Sequence, residues 1–229
     1  GLVGSEMCIR DRLLGSGALT QITDLPGAER SPAVSPNGKL LAISYEESRP
    51  LAFTPDRLAT VDLSTKDVRI LTEAVDGDAA NILWRADGKA LYFAFDERGE
   101  RHIKQVTLNK AVSPVATGLG GTSVGRPYLS GGFHTAGGVV AYTKGGPDRP
   151  ADIAVTQRKT PKIITALNDD LLDYRSLSEV HEIVYNSSFD GQEIQGWYIT
   201  PPDFDPTKKY PLILEVHGGP HLAYGCLLY

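Results

Sequence analysis

Ser35-Pro36-Asn37-Gly38-Lys39 runs straight into Leu40-Leu41-Ala42-Ile43-Ser44-Tyr45, and fifty residues on Arg85-Ala86-Asp87-Gly88-Lys89 runs into Ala90-Leu91-Tyr92-Phe93-Ala94-Phe95. A weaker third copy, Ala136-Gly137-Gly138, precedes Val139-Val140-Ala141-Tyr142-Thr143. In each copy a glycine turn opens a run of β-branched, aromatic or small apolar residues. Asn-Gly and Asp-Gly close tight hairpins because both residues tolerate positive φ.

Working outward, each run is followed by another strand-like stretch: Leu58–Leu63, Ile103–Leu108 and Ile153–Thr156. A shorter one, such as Val68–Thr72 or Pro161–Thr165, then leads to the next unit. Short strands with turn signals at this spacing predict an all-β region. Four strands per unit at a period near fifty predict propeller blades. Ser31-Pro32-x-x-Ser35-Pro36-Asn37-Gly38-Lys39 resembles the TolB-type blade, and the resemblance covers residues 20–170, about three blades. Propellers carry about 4–8 blades, so further blades are expected upstream of residue 13.

Near residue 180 the pattern changes. His181–Phe189 reads as a strand, Asp190-Gly191 as its turn and Gln192–Ile199 as the return strand. A proline-rich loop, Pro201–Pro206, leads through Lys208-Lys209-Tyr210-Pro211 to the apolar run Leu212-Ile213-Leu214-Glu215-Val216. Bounded by proline and glycine, that run is expected to be a buried strand of a mostly parallel sheet. It ends in His217-Gly218-Gly219-Pro220-His221.

Phe189, Gly191, Ile194 and Gly196-Trp197-Tyr198, followed by Tyr210-Pro211-Leu212-Ile213-Leu214 and Val216-His217-Gly218-Gly219-Pro220-His221, resemble the start of the catalytic domain of the prolyl oligopeptidase family. The His-Gly-Gly-Pro form and the TolB-like blades are most similar to its acylaminoacyl-peptidase and dipeptidyl-aminopeptidase branch. The resemblance implies a serine peptidase that cleaves short peptides through an acyl-enzyme, without cofactor or metal. It places Gly218 and Gly219 in the oxyanion loop, with Gly219 as the N–H donor. The chemistry accounts for the glycines: acyl transfer develops an oxyanion, and preorganised donors must already point at it. His217 braces that loop; it is not the triad base, which comes last in the order Ser, Asp, His. His221 is read as structural or adjacent to substrate.

The resulting expectation is a mainly β chain: a partial β-propeller of about three blades over 13–178, then the first strands of an α/β-hydrolase domain over 179–225. Residues 1–12 resemble the translated sequencing adapters found in assembled metagenomic proteins, and 226–229 resemble the opening of a second one, so both are expected to be non-native tails that pack poorly. Between them, 13–225 contain no cysteine or methionine, and no disulfide, thiolate metal site or cysteine nucleophile is predicted. A cysteine-free stretch suits cytoplasm and periplasm alike. The triad serine, aspartate and histidine are expected to lie outside this chain, leaving it inactive.

With a net charge of -5 and no basic patch, nucleic acid is not an expected partner. No apolar run reaches the ~20 residues that span a bilayer. Several tempting signals are set aside. Gly121-Thr122-Ser123-Val124-Gly125 fits G-x-S-x-G, but a nucleophile elbow joins a strand to a helix, whereas this stretch lies among the β-repeats. Glu46-Glu47 is read as a solvated strand end, Asn186-Ser187-Ser188 as an incidental sequon, and Asp169, Asp170 and Asp173 as loop or helix-cap surface. His102, His134 and His181 lack metal-ligand spacing. Two rival functions remain: a non-catalytic TolB-like binding module, against which the His-Gly-Gly-Pro segment speaks, and an esterase on the same α/β fold.

Overall fold

The Asn37-Gly38 and Asp87-Gly88 turns close the same connection in two successive sheets. The computed structural model describes residues 2–3, 10–12, 16–48, 54–123, 128–157, 160–216, 218 and 224–225. The chain opens with a three-stranded antiparallel sheet of β1 (Leu2–Val3), β2 (Arg10–Arg12) and β3 (Leu19–Gln21). Stretches of the adapter-like segment therefore pair with each other and with β3; Cys8 and Cys226 lie outside the described residues.

Three four-stranded antiparallel sheets follow, each in simple sequential order. The first holds β4 (Gly27–Val34), β5 (Leu40–Glu47), β6 (Arg57–Asp62) and β7 (Val68–Ile70). The second holds β8 (Ala80–Trp84), β9 (Ala90–Glu97), β10 (Glu100–Thr107) and β11 (Val112–Ala116). The third holds β12 (Phe133–Ala136), β13 (Val139–Gly146), β14 (Arg149–Gln157) and β15 (Thr160–Ile163). A one-turn helix α1 (Asp169–Leu172) then leads to a hairpin of β16 (Glu179–Asn186) and β17 (Glu193–Thr200).

The repeat is written in hydrogen bonds. Gly38 N–H donates to Ser35 O (2.9 Å) and Ser35 N–H to Leu40 O (2.8 Å); fifty residues on, Gly88 N–H donates to Arg85 O (2.8 Å) and Arg85 N–H to Ala90 O (2.9 Å). Gly38 (φ 71°) and Gly88 (φ 67°) take the left-handed conformation that these turns demand. The Asn37 and Asp87 side chains each accept from the N–H two residues on, Lys39 (3.1 Å) and Lys89 (3.0 Å). In the third sheet Gly137 (φ 56°) and Gly138 (φ 79°) occupy the same connection. Both first strands also carry a bulge: Ser31 and Pro32 together replace one residue opposite Ile43, and Asn81 and Ile82 one opposite Phe93. The Ser31-Pro32 pair of the blade-like sequence is therefore a bulge in a terminal strand, where proline is tolerated.

The sheets pack face on face, giving a propeller-like, mainly β architecture. Leu91, Phe93 and Phe95 of β9 meet Ala42, Leu58 and Leu71 of the first sheet, while Tyr92 and Ala94 on the opposite face meet Val140, Tyr142 and Ala154 of the third. β9 is thus buried on both faces, which is why it reads as an unbroken apolar run rather than alternating. Phe93 is fully buried, a contribution of about 2–3 kcal/mol. Trp84 Nε1–H donates to Ala33 O (2.8 Å) and ties the first two sheets together.

The expected buried strand at Leu212–Val216 is corrected by the structure. Residues 211–216 form no strand, and Leu212, Ile213, Leu214 and Val216 are 91%, 89%, 83% and 79% exposed. An apolar run becomes a buried strand only when neighbours cover both faces and both edges, and among the described residues nothing does.

Candidate functional site

The candidate site begins at the β16–β17 hairpin. Its turn is set locally: Gly191 (φ 73°) supplies the left-handed backbone, and Asp190 accepts from Gln192 N–H (3.1 Å). A hydrogen bond from Ser187 and that N–H hold the Asp190 carboxyl below its ordinary range. His181 stacks on Tyr198 across the hairpin, with centroids 4.7 Å apart. In the proline-rich loop, Asp205 accepts from Thr207 Oγ1 (2.7 Å) and N–H (3.0 Å), while Asp205 N–H donates to Tyr210 Oη (3.0 Å). This fixes the chain's approach to the exposed apolar run.

Of the three predicted site residues, Gly218 alone is described; His217 and Gly219 lie outside the described residues, as do Pro220 and His221. Gly218 is exposed, and a Cβ added to it would meet nothing within 4 Å. Beyond this loop, Gly225 is buried, and a Cβ there would lie 2.6 Å from Gly99 O. Tyr224 bridges to Tyr128, their rings 5.1 Å apart. Tyr224 and Gly225 thus bring the chain back against Tyr128 and the Gly99 turn.

Among the described residues, the sheets meet this hairpin at the Arg98-Gly99 turn between β9 and β10. Arg98 pairs with Glu182 (2.8 Å) and reaches Glu193 (3.7 Å). Gln195 Nε2–H donates to Arg98 O (3.1 Å) and to Glu182 Oε1 (2.7 Å). Gln195 and Arg98 together hold the Glu182 carboxyl below its usual range, and Glu182 raises the Arg98 guanidinium. The Trp197 ring lies against Gly99, leaving no room for a Cβ: it would sit 2.6 Å from Cη2. Sequence reasoning missed this junction. Its one local signal is the turn-forming Arg98-Gly99 pair.

The set-aside signals take structural places. Ser123 N–H donates to Ser130 Oγ (3.1 Å), and Gly121 O accepts from Ala151 N–H (3.1 Å). The described part of this G-x-S-x-G stretch therefore rests in a loop against β14, with no strand-to-helix elbow; residues 124–127 are outside the described set. Glu46 pairs with Arg30 (2.8 Å), which also reaches Asp56 (3.1 Å). Arg149 binds both Asp169 and Asp173, pinning α1 to β14. Among the described residues no three His, Cys, Asp or Glu side chains gather as a metal site, and no helix is long and apolar enough to cross a membrane.

No protein-family model matches the chain. Curated proteins do. It is 28% identical over 211 residues to dipeptidyl-peptidase 5 of Porphyromonas gingivalis, covering 90% of this chain and 30% of that protein. It is 26% identical over 170 residues to the uncharacterized peptidase YuxL of Bacillus subtilis, covering 72% and 24%. Among solved structures, the acylaminoacyl peptidase of Pyrococcus horikoshii superposes with a TM-score of 0.74 at 20% identity, over 97% of this chain and 32% of that one. An acylaminoacyl peptidase in complex with Z-Gly-Gly-Phe-chloromethyl ketone gives 0.76 at 21%, over 97% and 32%. The fold is therefore one shared with a stretch of the acylaminoacyl peptidases. More particularly, the chain is similar to dipeptidyl-peptidase 5 and shares its fold with acylaminoacyl peptidases, the resemblance to the prolyl oligopeptidase family that its sequence carries. It spans 24–30% of the length of these curated relatives.

Proposed function

We propose that the chain is part of a serine peptidase that hydrolyses short peptides through an acyl-enzyme. The observation that carries this is the match to dipeptidyl-peptidase 5: at 90% of the chain, it takes in the stacked sheets and the β16–β17 hairpin together. In this reading residues 13–178 are the last three blades of a propeller, and 179–225 open an α/β-hydrolase domain. The run Leu212–Val216 stays exposed and without strand structure here, and in this reading its apolar side chains are covered by the rest of that domain. Gly218 and Gly219 form the oxyanion loop, with His217 as its support and not the triad base. The carbonyl oxygen of the scissile bond gains negative charge in the tetrahedral intermediate, and a backbone N–H at Gly219 stabilises it more than it stabilises the ground-state carbonyl. Nucleophile, acid and base come from chain beyond these 229 residues, so this stretch alone is inactive. Neither cofactor nor metal is required by such chemistry.

The test is steady-state hydrolysis by the product of the longer natural gene, with matched chromogenic peptide amides and simple esters. Turnover of the amides supports the peptidase reading. Turnover of esters alone moves the assignment to an esterase, and turnover of neither leaves a binding module.

A further inference from the structure

We infer that the terminal strands of the three stacked sheets, two of them bulged, form a binding groove for an extended, uncharged peptide segment. The strands β4, β8 and β12 each end their sheet, so among the described residues each has one edge without a strand partner, and β8 touches both of the others. Along this wall runs a groove of about 450 Å³, lined by the bulge residues Ser31 and Pro32, the bulge residues Asn81 and Ile82, and by Gly132 and Phe133. The backbone has positive φ at Ser31 (54°) in β4 and Asn81 (51°) in β8, and at Gly131 (106°), which lies seven residues before its turn glycine as they do, just ahead of β12. Ser31 and Asn81 are not glycines, and nothing about a plain antiparallel strand asks for this conformation. Bulges re-aim side chains and end pairing, and they concentrate next to functional sites.

The chemistry of the groove selects its ligand. Strand edges offer backbone N–H and C=O groups, which an extended peptide matches better than other ligands do. The Ser31 hydroxyl and Asn81 amide, both exposed, add neutral hydrogen-bonding groups, and Pro32, Ile82 and Phe133 add apolar contact. No charged side chain lines it, so a charged segment would lose hydration without a partner. The inference rests on the peptidase reading only in making the segment part of a substrate; the groove's peptide chemistry stands on the strand edges.

The test uses the 229-residue chain and the uncharged probe N-acetyl-Val-Ala-Val-amide, followed by amide chemical shifts. Saturable shifts at Ser31, Ala33, Asn81–Leu83 and Phe133 are expected. Gly132 offers a clean block, because a side chain there starts in open space. Gly132→Trp should weaken binding by about tenfold or more, since it occupies the groove, while Gly132→Ala should leave it within about twofold. Equal binding by a folded Gly132→Trp, shifts confined to β7, β11 and β15, or no saturable shift at all would overturn the inference. Should Gly132→Trp fail to fold, the shift map of the unaltered chain decides. This assay needs no nucleophile, so its failure leaves the hydrolytic reading standing, and a longer protein without hydrolytic activity would leave the groove standing.

Discussion

Gly99→Ala adds one methyl group at the place where the sheets meet the β16–β17 hairpin. Two costs arise. At φ 73° an alanine pays about 1–2 kcal/mol for left-handed backbone. The new Cβ also collides with the Trp197 ring, a rigid group that has to leave. Trp197 is half-buried, so expelling it re-exposes roughly 100 Å² of apolar surface, about 2–3 kcal/mol at the usual coefficient. The ion pairs of Arg98 with Glu182 and Glu193 are solvent-exposed, and exposed pairs hold little. The hairpin should therefore undock while the stacked sheets stay folded. Fluorotryptophan labelling with fluorine NMR follows both tryptophans separately. In Gly99→Ala the Trp197 resonance should move to the solvent-exposed position, and that of Trp84, buried and bonded to Ala33, should not. Two unmoved resonances would refute the junction.

Further outcomes follow from the same geometry. Gly38→Ala and Gly88→Ala should destabilise by similar amounts, about 1 kcal/mol each from left-handed backbone, because both added methyls are spared close contacts; chemical denaturation checks this, and a large difference would break the equivalence of the turns. The Asp87 carboxyl, held by Arg85 and by Lys89 N–H, should titrate at about 2 rather than 3.8. Its folded pKa is depressed, so its contribution is full above pH 3.8 and is lost as pH falls through about 2; an NMR midpoint near 3.8 would contradict the pairing. In the longer enzyme Gly219→Pro should lower kcat by about 10²–10³ with a smaller effect on substrate binding, whereas Ser123→Ala should leave kcat unchanged.

Much of the fold was legible because its signals are local. Asn37-Gly38 and Asp87-Gly88 announce their turns through residues that tolerate positive φ, and the unbroken apolar run of β9 announces a strand buried on both faces. The bulges at Ser31 and Asn81 were not legible, since a bulge exists only in the register of two strands. Leu212–Val216 was misread for the complementary reason: composition marks a run that wants burial, and says nothing about whether its neighbours are present. The Arg98–Glu182 and Arg98–Gln195 contacts join residues 84 and 97 apart in sequence, beyond the reach of any local pattern. Of the predicted loop, only Gly218 is among the described residues, and it is exposed.

The most direct measurement is labelling with a fluorophosphonate, which reacts with an activated serine. The 229-residue chain should take up none, and the product of the longer gene should take up one equivalent on a serine after residue 229, at a site lost when that serine is replaced by alanine. Stoichiometric labelling of the 229-residue chain itself, above all at Ser123, or an unlabelled longer protein that is correctly folded, would contradict the account.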